Sequence, residues 1–151
     1  MARQHIRLTN DISDLCIESR KPEAIHEINT EITNKFSFNV ILKGPDNSPY
    51  HNGRFILHFE ISSEYPFKPP IVKFKTPIYH QNIQDGNICL DILKKEWTPA
   101  FTLHKILRSI SSLLNNPNPD DPLAADVGAE YKSNYNIYRE KALEMTLKMA
   151  I

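Results

Sequence analysis

Prolines divide this chain before any other feature does. Of its 11 prolines, Pro66, Pro69, Pro70 and Pro77 crowd one stretch, and Pro117, Pro119 and Pro122 crowd another. Proline has no amide hydrogen for a central ladder or a helix interior. Regular structure must therefore lie before, between and after these two stretches, apart from a short strand expected at Ile71–Lys75. The segments on either side of that strand are expected to be extended and exposed.

The hydrophobic periods agree with this division. Leu8, Ile12, Leu15 and Cys16 mark one face of an N-terminal helix that Lys21-Pro22 should stop. From Phe36 the period becomes two. Phe36, Phe38, Val40 and Leu42 alternate, blurred by Ile41, and Phe55, Leu57, Phe59 and Ile61 alternate after the turn-rich run Gly44–Pro49. Two strands joined by a loop follow. Residues 25–32 suit either a helix or an edge strand. Residues 78–101 keep no period, apart from the apolar run Ile88–Leu93, and long irregular segments of this kind tend to be functional. Thr102 reads as the N-cap of a helix whose apolar face is Leu103, Ile106, Leu107, Ile110, Leu113 and Leu114. Asp121-Pro122 reads as the cap and first residue of a helix near 122–131. A last helix near 134–149 offers Tyr138, Leu143, Met145 and Leu147. A helix, then strands, then helices in separate runs is an α+β arrangement, and 151 residues fit one domain.

Composition removes several classes of function. Eighteen Lys and Arg balance eighteen Asp and Glu, so no general attraction to nucleic acid or an acidic membrane is expected. No apolar run approaches a membrane span, and the polar N-terminus does not read as a secretory signal. Two cysteines make no disulfide framework. A soluble, reduced, intracellular protein is expected. None of the six histidines lies at ligand spacing from another, and there is no Cys-x-x-Cys pair, so neither metal nor cofactor is expected. The four isolated glycines make no phosphate loop, and a serine-hydrolase elbow is missing.

The cysteines remain. Cys16 reads as a small buried hydrophobe on the helix face. Composition alone reads Cys89 in the same way. However, a Gly86-Asn87 turn precedes it and an exposed-looking turn, Trp97–Ala100, follows, so Cys89 is also a nucleophile candidate. No cation adjoins it in sequence, which suits a thiol that accepts an already activated acyl group. His80 reads as a histidine fixed by backbone hydrogen bonds. Asn82 reads as a turn residue or as an amide donor to a developing oxyanion. Asp91, Asp120 and Asp121 read as caps or surface carboxylates.

Five motifs occur in order: Tyr65-Pro66-Phe67-Lys68-Pro69-Pro70, Ile78-Tyr79-His80-Gln81-Asn82-Ile83, Ile88-Cys89-Leu90-Asp91-Ile92-Leu93, Trp97-Thr98-Pro99-Ala100 and Pro117-Asn118-Pro119-Asp120-Asp121-Pro122-Leu123. With them the chain resembles the ubiquitin-conjugating enzymes from about Phe36 to its end, with the first helix fitting by position. The resemblance implies an N-terminal helix, a four-stranded antiparallel meander and three C-terminal helices. It implies that Cys89 takes ubiquitin from an activating enzyme as a thioester and passes it to substrate lysines, normally with a ligase of RING or HECT type. It gives Asn82 the oxyanion or the loop that frames it, and gives Asp121 and Asp91 the incoming lysine. Phe67, Thr98, Pro99 and Ala100 match the ligase-gripping loops, and Arg108 and Ser112 lie on the face that receives donor ubiquitin. A minimal catalytic domain in the cytoplasm, and also in the nucleus, would follow. Conjugation of another ubiquitin-like protein and a non-catalytic ubiquitin-binding form of the fold are the alternatives, and the presence of Cys89 weighs against the second. The chain departs from the family pattern in three places. Gln81 stands where the family has proline, the segment from Asn82 to Cys89 is one residue shorter than usual in close relatives, and Arg108 stands where several relatives carry an apolar residue.

Overall fold

The computed structural model describes residues 2–120 and 122–151. The period-two segments pair as an antiparallel meander in the order β1-β2-β3-β4, with β1 at His26–Glu27, β2 at Ser37–Lys43, β3 at Arg54–Glu60 and β4 at Ile71–Phe74. The ambiguous stretch 25–32 therefore supplies an edge strand, of two residues only. Phe38, Val40 and Leu42 face Phe55, Leu57 and Phe59 on one side of the sheet, and all are buried. Ile41 points to the other face, opposite Ile56, so two apolar faces meet in one strand and blur its alternation. The inner face carries α2 (Leu103–Asn115), whose apolar stripe Leu103, Ile106, Leu107, Ile110, Leu113 and Leu114 is buried throughout. At about 1.5–3 kcal/mol for each fully buried large side chain, this stripe is a main source of cohesion. Thr102 caps α2 as expected, its hydroxyl accepting from Lys105 N at 3.2 Å.

Helix α1 (Ala2–Ser19) ends before Lys21-Pro22 and buries Leu8 and Leu15. Cys16 on that face is only half-buried, so it is no core residue. The proline-rich stretch is not exposed throughout either. Tyr65, Pro66 and Pro70 are buried, because Tyr65 donates its hydroxyl to the buried Asp11 carboxylate and Pro66 O accepts from Trp97 Nε1 at 2.8 Å. Arg7 completes this knot. It pairs with Asp11 at 3.1 Å and donates to Pro99 O and Phe101 O, each at 2.6 Å.

The C-terminal helices differ from expectation at their edges. Helix α3 spans Ala125–Ser133 and its N-cap is Ala124, so Pro122 is not its first residue. Ala124 is extended, with φ of -102° and ψ of 102°, and Leu123 N and Ala124 N both donate to Gln81 O, at 2.8 and 3.1 Å, which anchors the chain just ahead of the helix. Asp121 itself lies outside the described residues. Helix α4 (Tyr135–Met149) buries Tyr138, Ala142 and Thr146, four residues apart. Leu143 and Met145 are only half-buried and Leu147 is 60% exposed, so three of the four expected apolar anchors do not face the core.

Candidate active site

The aperiodic segment 78–101 folds around a small hairpin. Strand β5 (Ile83–Gln84) pairs with β6 (Asn87–Ile88) across a two-residue turn, Asp85-Gly86, with φ of 53° and 83°. Positive φ at both central residues is the geometry that Asp-Gly sequences favour in tight hairpins. The next pair out is Asn82 and Cys89, and Cys89 N donates to Asn82 O at 2.9 Å. The shortened segment thus closes as a regular ladder, and the departure in length leaves Asn82 aligned with the cysteine. A Cβ on Gly86 would lie 2.6 Å from Phe74 O, and Phe74 N donates to Gly86 O at 2.9 Å. These contacts hold the turn against β4.

Residues 80–82 tie this hairpin to the rest of the molecule. His80 is buried, donates from Nε2 to Leu113 O at 2.9 Å and accepts Asn82 N at Nδ1 at 3.0 Å. These partners fix the neutral tautomer. Burial holds its pKa down to about 4. Gln81 O takes the two amides described above, which adds a role to the position that departs from proline. Its side chain is also fully buried, and neither amide atom has a hydrogen-bond partner among the described residues. Asn82 is buried and exchanges a reciprocal pair of bonds with Asn118: Nδ2 donates to Asn118 O and Oδ1 accepts Asn118 N, both at 2.9 Å. The Asn82 amide therefore frames the 115–120 loop directly.

Cys89 is half-buried and follows β6. Asp91 opens a short 3-10 helix, Asp91–Leu93, and its side chain is exposed. Leu90 and Ile92 line a depression of about 490 Å³ together with Lys105, Arg108, Ser112 and Asn116 of α2 and its end. Arg108 and Ser112 are exposed on that helix. The structure thus pairs Cys89 with Asn82, and it sets Leu90 and Ile92, close after Cys89 in the chain, beside Arg108 and Ser112 of α2. Phe67 (67% exposed) and the exposed Thr98, Pro99 and Ala100 form a separate surface, joined through the Trp97–Pro66 bond and clamped by Arg7. Sequence reasoning missed Asn118 and Arg7. Asn118 sits between two prolines, where its neighbours cannot donate amides, and this was the available signal. The i,i+4 spacing to Asp11 was the one local mark of Arg7, whose two backbone partners lie 92 and 94 residues away. Among the described residues no group of three or more His, Cys, Asp or Glu could hold a metal ion.

Comparison with known proteins gives one consistent result. The profile of the family described as ubiquitin-conjugating enzyme matches residues 7–146. The Arabidopsis thaliana protein named "Probable ubiquitin-conjugating enzyme E2 31" is 44% identical over 129 residues, which is 85% of this chain and 84% of that protein. A crystal structure from Plasmodium yoelii, described as a ubiquitin conjugating enzyme, superposes with a TM-score of 0.86 at 37% identity, covering 97% of this chain and 95% of the other. The E2 domain of a Toxoplasma gondii ubiquitin conjugating enzyme gives 0.85 at 33% identity, covering 97% and 99%.

Proposed function

Since the chain belongs to the ubiquitin-conjugating enzymes, which work with ubiquitin, an activating enzyme and a ligase, we propose that Cys89 is its acyl carrier. The Cys89 thiolate attacks the thioester that joins ubiquitin's terminal carbonyl to the activating enzyme, and that enzyme's thiolate leaves. A substrate lysine amine then attacks the new thioester and loses its proton. The Cys89 thiolate leaves and an isopeptide bond remains. The observation that carries this reading is the alignment of Cys89 with Asn82 at the open end of a two-residue hairpin, with the Asn82 amide fixed by Asn118. An exposed carboxylate, Asp91, lies two residues on. Asp91 and Asp121 are assigned to orienting the lysine, whose reference pKa of about 10.4 requires help in shedding a proton near pH 7. Phe67, Thr98, Pro99 and Ala100 are assigned to ligases of RING or HECT type, and the substrates to proteins with accessible lysines.

The test is charging with activating enzyme, ATP and ubiquitin, followed by gels with and without reductant. The native protein should give a reductant-sensitive adduct and Cys89→Ser a reductant-resistant oxyester. Cys16→Ser should charge normally. Both thiols are half-buried, so the separation rests on what surrounds each. Loss of charging in Cys16→Ser with a normal thioester in Cys89→Ser would overturn the assignment. Asp121→Ala should slow discharge to lysine far more than charging.

A further inference from the structure

A second groove, of about 300 Å³, borders the same hairpin from another side, between the β4 strand and the 3-10 turn. Asn87 and Ile88, which lead into Cys89, form part of its wall. It shares no lining residue with the depression beside Arg108. Its walls are apolar, with Pro70, Ile71 and Leu93, and Ile71 is 60% exposed. Two prolines in sequence, Pro69 and Pro70, remove amide donors from one end, so an occupant would be held there by side chains.

Its charge has one sign. The only titratable lining residues are Lys73 and Lys94, both exposed. Neither has an ion-pair or side-chain hydrogen-bond partner among the described residues, whereas Lys21, Lys68 and Lys141 are each paired with a glutamate. Carboxylates that adjoin the groove in the sheet or along the chain do not compensate. Glu60, across the sheet from Ile71, is engaged by His58 and Ser37, and Asp91 and Glu96 do not line the groove. Two unpaired ammonium groups beside an exposed isoleucine leave a surface complementary to an extended segment that carries an acidic residue and an apolar one.

We propose that this groove receives the acceptor protein itself: an acidic segment, clasped by Lys73 and Lys94 with an apolar side chain against Ile71 and Leu93, that presents a neighbouring lysine to Cys89. The inference rests on the reading of Cys89 as acyl carrier, and it makes the enzyme a selector of lysines in acidic surroundings.

The experiment measures binding before chemistry. A fluorescein-labelled decapeptide with a central lysine, a leucine and two glutamates is titrated with the uncharged full chain by anisotropy, beside a peptide with glutamines for the glutamates. The acidic peptide should bind about fivefold more tightly, the order that two exposed ion pairs supply. The preference should shrink at high salt, vanish in Lys73→Gln/Lys94→Gln, and turn towards an arginine-bearing peptide in Lys73→Glu/Lys94→Glu. In single-turnover discharge from the charged enzyme, the same variants should lose the preference among peptides while charging and discharge to free lysine stay within about twofold. Equal binding of the two peptides overturns the proposal, as does a preference that survives charge reversal. So does a single-stranded oligonucleotide that displaces the peptide as effectively as excess acidic peptide does, since that marks undirected polyanion attraction. The two readings fail separately. A peptide preference without any thioester sinks the acyl-carrier reading, and the acceptor role with it, leaving only a groove that binds acidic segments; normal charging without a preference sinks the groove alone.

Discussion

At the scale of single residues, His80 shows how burial changes what a side chain contributes. An imidazole with one donor and one acceptor already committed cannot take a proton without breaking the bond from Asn82 N. Its folded pKa of about 4 lies below an unfolded value near 6.5, so the unfolded chain binds the proton first as pH falls. Stability from this group is complete above pH 6.5 and is lost as pH falls from about 6.5 towards about 4, to the extent of about 3 kcal/mol. Urea unfolding at pH 7 and pH 4.5 should show the loss, and His80→Gln should flatten much of it. An identical pH slope in the variant would assign the effect to other groups. His26 has the same sign: burial depresses it while Leu15 O holds its Nε2.

At the scale of elements, the β5–β6 hairpin and helix α2 carry the two sides of the proposed site, and each has a sensitive position. Gly86 is held at positive φ against Phe74 O. Gly86→Ala should cost about 1–3 kcal/mol through strain and close contact. It should also slow charging in samples that remain folded, because the turn sets the register of Asn82 and Cys89. An unchanged melting temperature and charging rate would show that the turn adapts freely. On α2, Arg108 faces solvent beside the depression near Leu90. If donor ubiquitin folds back on this face, the guanidinium must be desolvated or swing aside, and either costs free energy unless a partner is found. Arg108→Leu should then raise lysine discharge and leave charging alone, since only transfer needs the closed state. A lower discharge rate would mean that Arg108 makes a favourable contact with ubiquitin.

At the scale of the whole molecule, what the sequence revealed follows from how far each cause acts. The meander and the α2 stripe were legible because burial on one face writes a period of two or about 3.6 into neighbouring residues. Cys89 and Asn82 could be singled out for the same local reason, as polar or reactive groups beside turns. The start of α3 was not legible, because the segment ahead of it is anchored through Leu123 N and Ala124 N to Gln81 O, some forty residues earlier, and Ala124 stays extended. The burial of Tyr65 depends on Asp11, and the role of Asn82 depends on Asn118; neither partner is adjacent in the chain. Leu147 misled for a different reason. The face of α4 that meets the core uses Tyr138, Ala142 and Thr146, so size and hydropathy pointed to the wrong stripe. Three consecutive residues, 80–82, receive or supply bonds to Leu113, Asn118, Leu123 and Ala124 as well as to Cys89. That concentration bears on hydrogen exchange. The amides of Cys89, Asn118, Leu123 and Ala124 should open as one cooperative unit, with one common protection factor, instead of fraying loop by loop. Asn82→Ala should lower protection at all four together and leave the α2 amides slow. Independent exchange at the four positions would mean that the cysteine segment and the loop facing it open separately, each on its own timescale.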